Sequence, residues 1–156
     1  MRLSLIAKPQ SYLYHLVNQD RMLYILNTNS LQPYNFAGGI SCTRDPDMTG
    51  YTGSQGMVLF RLVLDQAKLA RDFKIRPINF KSQTGVVFEE AEDFIVAPRG
   101  VSNLQSYLVE IQAISEAMTQ WRIWMTKPED DWDRRQAEEF ENLMQRLPGF
   151  AKVVEV

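Results

Sequence analysis

Apolar and polar residues follow each other along this chain in rhythms that separate strands from helices. Tyr12-Leu13-Tyr14-His15-Leu16-Val17 is an aromatic, β-forming run and predicts a buried strand. Asn18-Gln19-Asp20 offers a helix cap, and Met22, Leu23, Ile25 and Leu26 draw a helical apolar face that Asn27 to Ser30 ends. A loop from Gln32 to Gly39 follows. Ile40 and Cys42 then alternate with Ser41 and Thr43, the period of two of a strand with one face on a core. That strand runs into Arg44-Asp45 and a loop reaching Gly56. Met57 to Leu64 is almost continuously apolar and predicts a central strand, after which Asp65 caps a short helix from Gln66 to Phe73. Lys74 to Phe80 is extended, and Pro77 makes a central position in a sheet unfavourable.

The second half begins with a turn at Lys81 to Gly85. Val86-Val87-Phe88 and Phe94-Ile95-Val96 are strand-like, but charge from Glu89 to Asp93 interrupts them. Ser102-Asn103 caps a short helical turn from Leu104 to Tyr107, and Leu108 to Ile114 reads as a strand. Two helices follow, Ser115 to Met125 and Glu129 to Arg146, broken at Thr126-Lys127-Pro128. The second carries Trp132, Phe140, Leu143 and Met144 on its apolar face, and Leu147-Pro148-Gly149 stops it. Lys152 to Val156 adds a last strand. The whole predicts one α+β domain over residues 1–156, with a helical extension from Ser115. Trp121, Trp124 and Trp132 either bury against the sheet or mark an interface.

Composition narrows this picture. With 156 residues, 45% of them hydrophobic and 23% charged, one domain can bury a sizeable core. A net charge of -2 gives no global attraction to nucleic acid or to a membrane surface, so any basic patch is local, from Lys8, Arg21, Lys81 or Arg99. The single Cys42 rules out an intramolecular disulfide and a Cys-based zinc site, and one His argues against a His-rich metal site. No apolar run approaches a membrane span, and the first nine residues are too short and too soon broken for a signal peptide. A cytoplasmic, non-membrane protein is expected.

Three polar islands interrupt the strands. Tyr14-His15 is the first, Ser41-Cys42-Thr43-Arg44 with Tyr51 behind it the second, and Glu89-Glu90-Ala91-Glu92 the third. Each has a plain structural explanation and a chemical one. His15 is a hydrogen-bonded core residue or a ligand contact. Arg44 is half of a solvated pair with Asp45, or a planar fork of donors for phosphate at a strand end. Tyr51, between glycines, is a loop aromatic or a ring that stacks on a flat ligand. The acidic run is a solvated face or a catalytic pair, with Glu90 and Glu92 on one side of a strand.

In order and spacing these islands resemble the ADP-ribosyltransferase-like superfamily, in its small prokaryotic and phage-type members. The matching segments are Leu13 to Asn18, Tyr24-Ile25-Leu26 to Leu31, Ser41-Cys42-Thr43-Arg44-Asp45, Leu62 to Asp65 with Lys68-Leu69, Glu90-Ala91-Glu92-Asp93-Phe94-Ile95, and Ser102 to Ile111. The likeness covers about residues 11–114, and the tail after Ser115 has no counterpart. The chain departs from the pattern at Leu16-Val17, where the family carries small residues, and at Asp93-Phe94, where it carries Glu-Arg. The resemblance implies split antiparallel sheets forming a cleft, with flanking helices. It also implies an enzyme that moves ADP-ribose from NAD to an acceptor, whether DNA, RNA or protein. In that reading Glu92, with Glu90 second, is the catalytic acid. His15 and Tyr14 bind NAD, Arg44 clamps its pyrophosphate, Tyr51 covers nicotinamide, and Ser41 and Thr43 orient the acidic pair. The alternative is a non-enzymatic nucleotide- or partner-binding protein on the same fold, such as a phage or toxin-system component.

Overall fold

The computed structural model describes residues 11–33, 38–46, 57–81 and 87–156, without the side chains of residues 78–81 and 87–91. The turn expected at 82–85 lies outside the described residues. The elements in chain order are β1 (Tyr12–Val17), α1 (Gln19–Thr28), β2 (Ser30–Leu31), β3 (Gly39–Thr43), β4 (Phe60–Asp65), α2 (Gln66–Asp72), β5 (Lys74–Lys81), β6 (Val87–Val96), β7 (Val101–Ser102), β8 (Leu108–Ala113), α3 (Ser115–Met125), α4 (Asp131–Phe150) and β9 (Val153–Glu155). A short 3-10 turn, Leu104–Ser106, precedes β8. The fold is α+β. Seven strands form one sheet in the order β5-β6-β3-β1-β4-β8-β9, antiparallel except for β8 with β9, while β2 and β7 make a small ribbon.

The sheet has a weak seam. β1 pairs with β4 along its whole length, from Tyr12 with Asp65 to Val17 with Phe60. β3 pairs with β6 from Gly39 with Val96 to Thr43 with Glu92. Between β1 and β3, in contrast, only Tyr14 and Thr43 are in register. The two halves of the sheet therefore separate along that line on either side of one pair.

Strand alternation sorts the faces. Leu13, Val17, Ile40, Cys42, Leu62, Leu64, Ile95 and Ile111 pack with Met22 and Ile25 of α1, Leu69 of α2, Met118 of α3, and Phe140, Leu143 and Leu147 of α4. All four helices contribute to the core on this face. The opposite face carries Tyr14, Leu16, Ser41, Arg61, Phe94 and Gln112, all partly exposed, with Val63 and Glu92 buried among them.

The caps explain the helix limits. Asn18 accepts from the Arg21 amide and starts α1; Asn29 ends it in the left-handed region. Asp65 caps α2 through the Lys68 amide. α4 does not stop at Leu147-Pro148-Gly149 as the sequence suggests; it runs through Pro148 to Phe150. Proline removes a donor and crowds the carbonyl four residues back, but Leu147, fully buried, keeps the last turn on the core. β4 starts at Phe60 rather than Met57, which is 40% exposed. The acidic run does not interrupt its strand either, since β6 is continuous from Val87 to Val96.

Gln19 ties the helices together. Its side chain is buried, its amide nitrogen donates to the Gln136 carbonyl at 2.9 Å, and its oxygen accepts from Trp121 Nε1 at 2.8 Å. Trp121 thus packs against the core with its polar atom satisfied. Trp124 stacks on it, and Trp132 meets Trp124 edge-on. Those two rings are 44% and 54% exposed, so Trp132 is not on the buried stripe of α4 where the sequence places it.

Gly39 lets β3 approach β6 closely. A Cβ there would meet the Ile95 carbonyl oxygen and the Phe94 ring. Gly39→Ala is expected to lower unfolding free energy by about 1–3 kcal/mol in denaturant titration, as overpacking of a closed site does.

Candidate functional site

β6, β3 and β1 lie side by side, so the three polar islands become neighbours although they are far apart in the chain. The centre is Ser41. Its hydroxyl donates to Glu92 Oε1, and its main-chain carbonyl accepts from the His15 ring at Nδ1, 2.8 Å away. A carbonyl can only accept, so Nδ1 carries the proton and the neutral ring keeps Nε2 as an acceptor. The contact crosses the seam between β1 and β3. The ring supplies a donor to a carbonyl where the regular ladder has stopped.

Alternation places Tyr14, Thr43 and Glu92 in one row on the face away from the described helices, with Ser41 two residues along β3. His15 follows Tyr14 and so projects from β1 toward the side of Leu13 and Val17, reaching Ser41 at the main chain. Burial lowers its pKa, and the nearby Arg21 charge adds to that; the bond to the Ser41 carbonyl acts the other way.

Two adjacent carboxylates on β6 are buried, Glu92 at 7% exposure and Asp93 at 4%. Burying a carboxylate requires partners. Glu92 holds Ser41 on one face. Asp93 faces the other side, where Arg44 Nε lies 3.3 Å from its Oδ2. Arg44 has 38% of its side chain exposed, so it pairs with an internal acid while standing at the surface. Cys42 sits opposite Asp93. Burial pushes its thiol pKa up, and the charges of Asp93 and Glu92 push it further. That thiol stays protonated and unreactive.

β6 is also irregular beside Glu92. Ile78 of β5 pairs with Glu92, but Asn79 pairs with Glu89, leaving Glu90 and Ala91 outside the ladder. Such a bulge bends the strand and re-aims the side chains beside it. The Glu90 side chain and all of Tyr51 lie outside the described residues.

Thr43 shapes the turn after β3. Its hydroxyl accepts from the Asp45 amide at 3.1 Å and lies 3.2 Å from the Asp45 carbonyl. Arg61, which the sequence reading passed over, holds the same turn from the far side of the seam. It donates through Nη1 to the Pro46 carbonyl and through Nε to Gln112 Oε1 at 2.9 Å. Its signal was present: a cation at an alternate position of an otherwise apolar strand, the pattern that singled out His15.

Among the described residues no cluster of three or more His, Cys, Asp or Glu is arranged to hold a metal ion, and no helix is long and apolar enough to cross a membrane. The chain matches no protein-family model, no curated protein and no solved structure.

His15 is the one histidine, so it is the one side chain whose ordinary pKa lies near neutrality. The folded state binds its proton more weakly than the unfolded chain, whose value is 6.5. His15 therefore contributes stability above pH 6.5, and that contribution is lost as pH falls toward the folded value. Unfolding free energy should decline between about pH 7 and pH 5.5 in the wild type and stay flatter in His15→Gln. A wild-type profile that rises on acidification over this window would contradict the assignment of a neutral ring.

Proposed function

We propose that this chain is an NAD-dependent ADP-ribosyltransferase of the ADP-ribosyltransferase-like superfamily, acting on a macromolecular acceptor. The observation that carries the reading is the buried Glu92 carboxylate holding the Ser41 hydroxyl next to the seam of the sheet. A sheet that parts along β1 and β3 is the kind of split the family likeness calls for. The donor set suits the substrate. A carboxylate and hydroxyl meet ribose hydroxyls, a neutral imidazole offers an acceptor, and guanidinium groups meet a pyrophosphate.

NAD supplies an activated ribose whose bond to nicotinamide is already weakened by the positive charge on the pyridinium. Glu92 provides negative charge where the ribose gains oxocarbenium character, and Ser41 fixes its orientation. The bond from ribose C1 to nicotinamide breaks with its electron pair going to nicotinamide. A bond from C1 to the acceptor atom forms, and the acceptor's proton passes to a base, for which Glu90 is the candidate. Arg44 holds the pyrophosphate from the strand end, and His15 and Tyr14 hold the rest of the nucleotide. Tyr51 covers the nicotinamide.

A second reading is favoured by the exposed Trp124 and Trp132 rings, which suit a partner-binding protein on the same fold without catalysis. Nicotinamide release separates the two. In the transferase, Glu92→Gln keeps shape and loses charge, so the rate should fall about 100- to 1,000-fold while NAD affinity and melting temperature change little. Arg44→Ala should instead weaken NAD binding, because a pyrophosphate contact exists before and during reaction. Activity retained in Glu92→Gln but lost in Glu90→Gln would move the acid by two residues. No NAD turnover in the wild type would end the transferase reading.

A further inference from the structure

We infer that the α2–β5 edge of the sheet is a docking surface for a single strand of nucleic acid. The surface stands on its own charge and shape; that the strand is the acceptor rests on the transferase reading above.

Residues 66–77 carry a net charge of +3, from Lys68, Arg71, Lys74 and Arg76 against Asp72 alone, in a chain whose total is -2. All four cations are exposed. They are not the cations expected from the sequence. Asp72 is occupied by the Tyr107 hydroxyl at 2.6 Å. Negative charge gathers elsewhere, on α4 and its approach, where Glu129, Asp130, Asp131, Glu138, Glu139 and Glu141 are exposed. The basic pole is therefore local: it is the α2–β5 edge, where Lys74 and Arg76 lie against Val96 and Phe94 of β6, past the acidic run Glu89 to Asp93 of that strand.

Register then places part of this pole beside the candidate acid. Lys74 pairs with Val96 and Arg76 with Phe94, so both cations project on the face of Phe94, Ser41 and Glu92. They are two residues apart on an extended strand, about 6.8 Å along it, a spacing that lets them meet successive phosphates. Phe94 lies between them and Ser41 on the same face. It is partly exposed, and its ring lies over Gly39, where the missing side chain makes room. A row of two cations, then an aromatic ring, then a carboxylate fits a backbone on the edge strand and a base on the ring. The ring selects an unpaired strand, because a duplex hides its base faces. An acidic protein would satisfy the cations but offers a flat ring only where an aromatic side chain falls at the right spacing, whereas every nucleotide of a single strand carries one. Here Phe94 stands where the family pattern has Arg, which converts a charged position into a stacking one.

The test is fluorescence anisotropy on the full chain, with labelled oligonucleotides of about twelve nucleotides as single-stranded DNA, single-stranded RNA and duplex, at about 50 and 200 mM salt. Single strands are expected to bind in the micromolar range with a logarithmic salt slope of about -2 to -3. Lys74→Glu with Arg76→Glu should weaken binding at least tenfold and reduce the slope by about 1.4, while Glu138→Gln on α4 changes neither. Phe94→Ala should weaken single strands about tenfold and leave the salt slope alone. If that variant melts early, the two exposed charge reversals still decide. Binding that ignores the charge reversals, or a preference for duplex or for polyglutamate over single strands, overturns the inference. NAD turnover without oligonucleotide binding overturns the surface and spares the transferase reading. Oligonucleotide binding without NAD turnover supports the surface and ends that reading.

Discussion

The sheet's shape depends on how little β1 and β3 share. A full antiparallel ladder would leave one continuous twisted sheet with the main-chain groups between β1 and β3 paired. One pair in register, Tyr14 with Thr43, joins the halves and lets them part on either side. Main-chain groups along such a seam still need partners. His15 supplies a donor to the Ser41 carbonyl, which fixes the ring's tautomer, while burial favours the neutral ring. The geometry is that of a hydrogen-bonded core histidine; its contact with a ligand belongs to the proposal.

β6 meets the seam with two buried carboxylates in succession, and alternation sends one to each face. Asp93 is held by Arg44 on the side of the helices. Glu92 is held by Ser41 on the side away from the described helices. Separating the pair across the strand keeps two like charges from competing for one set of partners. It also leaves Glu92 on the face that the described helices do not cover. The cost falls on Cys42, opposite Asp93, whose thiol is held protonated first by burial and further by the two negative charges.

The helices make this asymmetry possible. α1, α3 and α4 are locked to each other through Gln19, with Gln136 and Trp121 as partners. A buried amide with both ends satisfied specifies one packing of three helices. On the opposite face Arg61 pins the turn after β3 through the Pro46 carbonyl. A cation at that position organises backbone instead of meeting an anion directly.

Local patterns in the sequence determined most of the elements. Period-two alternation marked β3, continuous apolar residues marked β4, and Asn18 and Asp65 announced their helices, because caps and periodicity are properties of neighbouring residues. Edge placement of β5 followed from Pro77, which cannot donate to a ladder. What local pattern misjudged was wherever distant contacts win. Leu147 in the core carries α4 through Pro148, and pairing on both sides carries β6 through its charges. Trp132 is left outside because α3 offers it only the edge of Trp124. At the site, residue type alone marked His15, Ser41, Arg44 and Glu92. It could not tell which carboxylate meets Ser41, or that Arg44 meets Asp93, since those pairings are set by the register between β3 and β6. The basic edge beside Phe94 was likewise invisible: Lys74 and Arg76 become neighbours of Phe94 only when β5 is laid against β6. The sequence by itself determined which segments are strands and helices and which side chains carry chemistry. Strand order and register decided which of them meet, because hydrogen bonding between strands joins residues without regard to their separation in the chain.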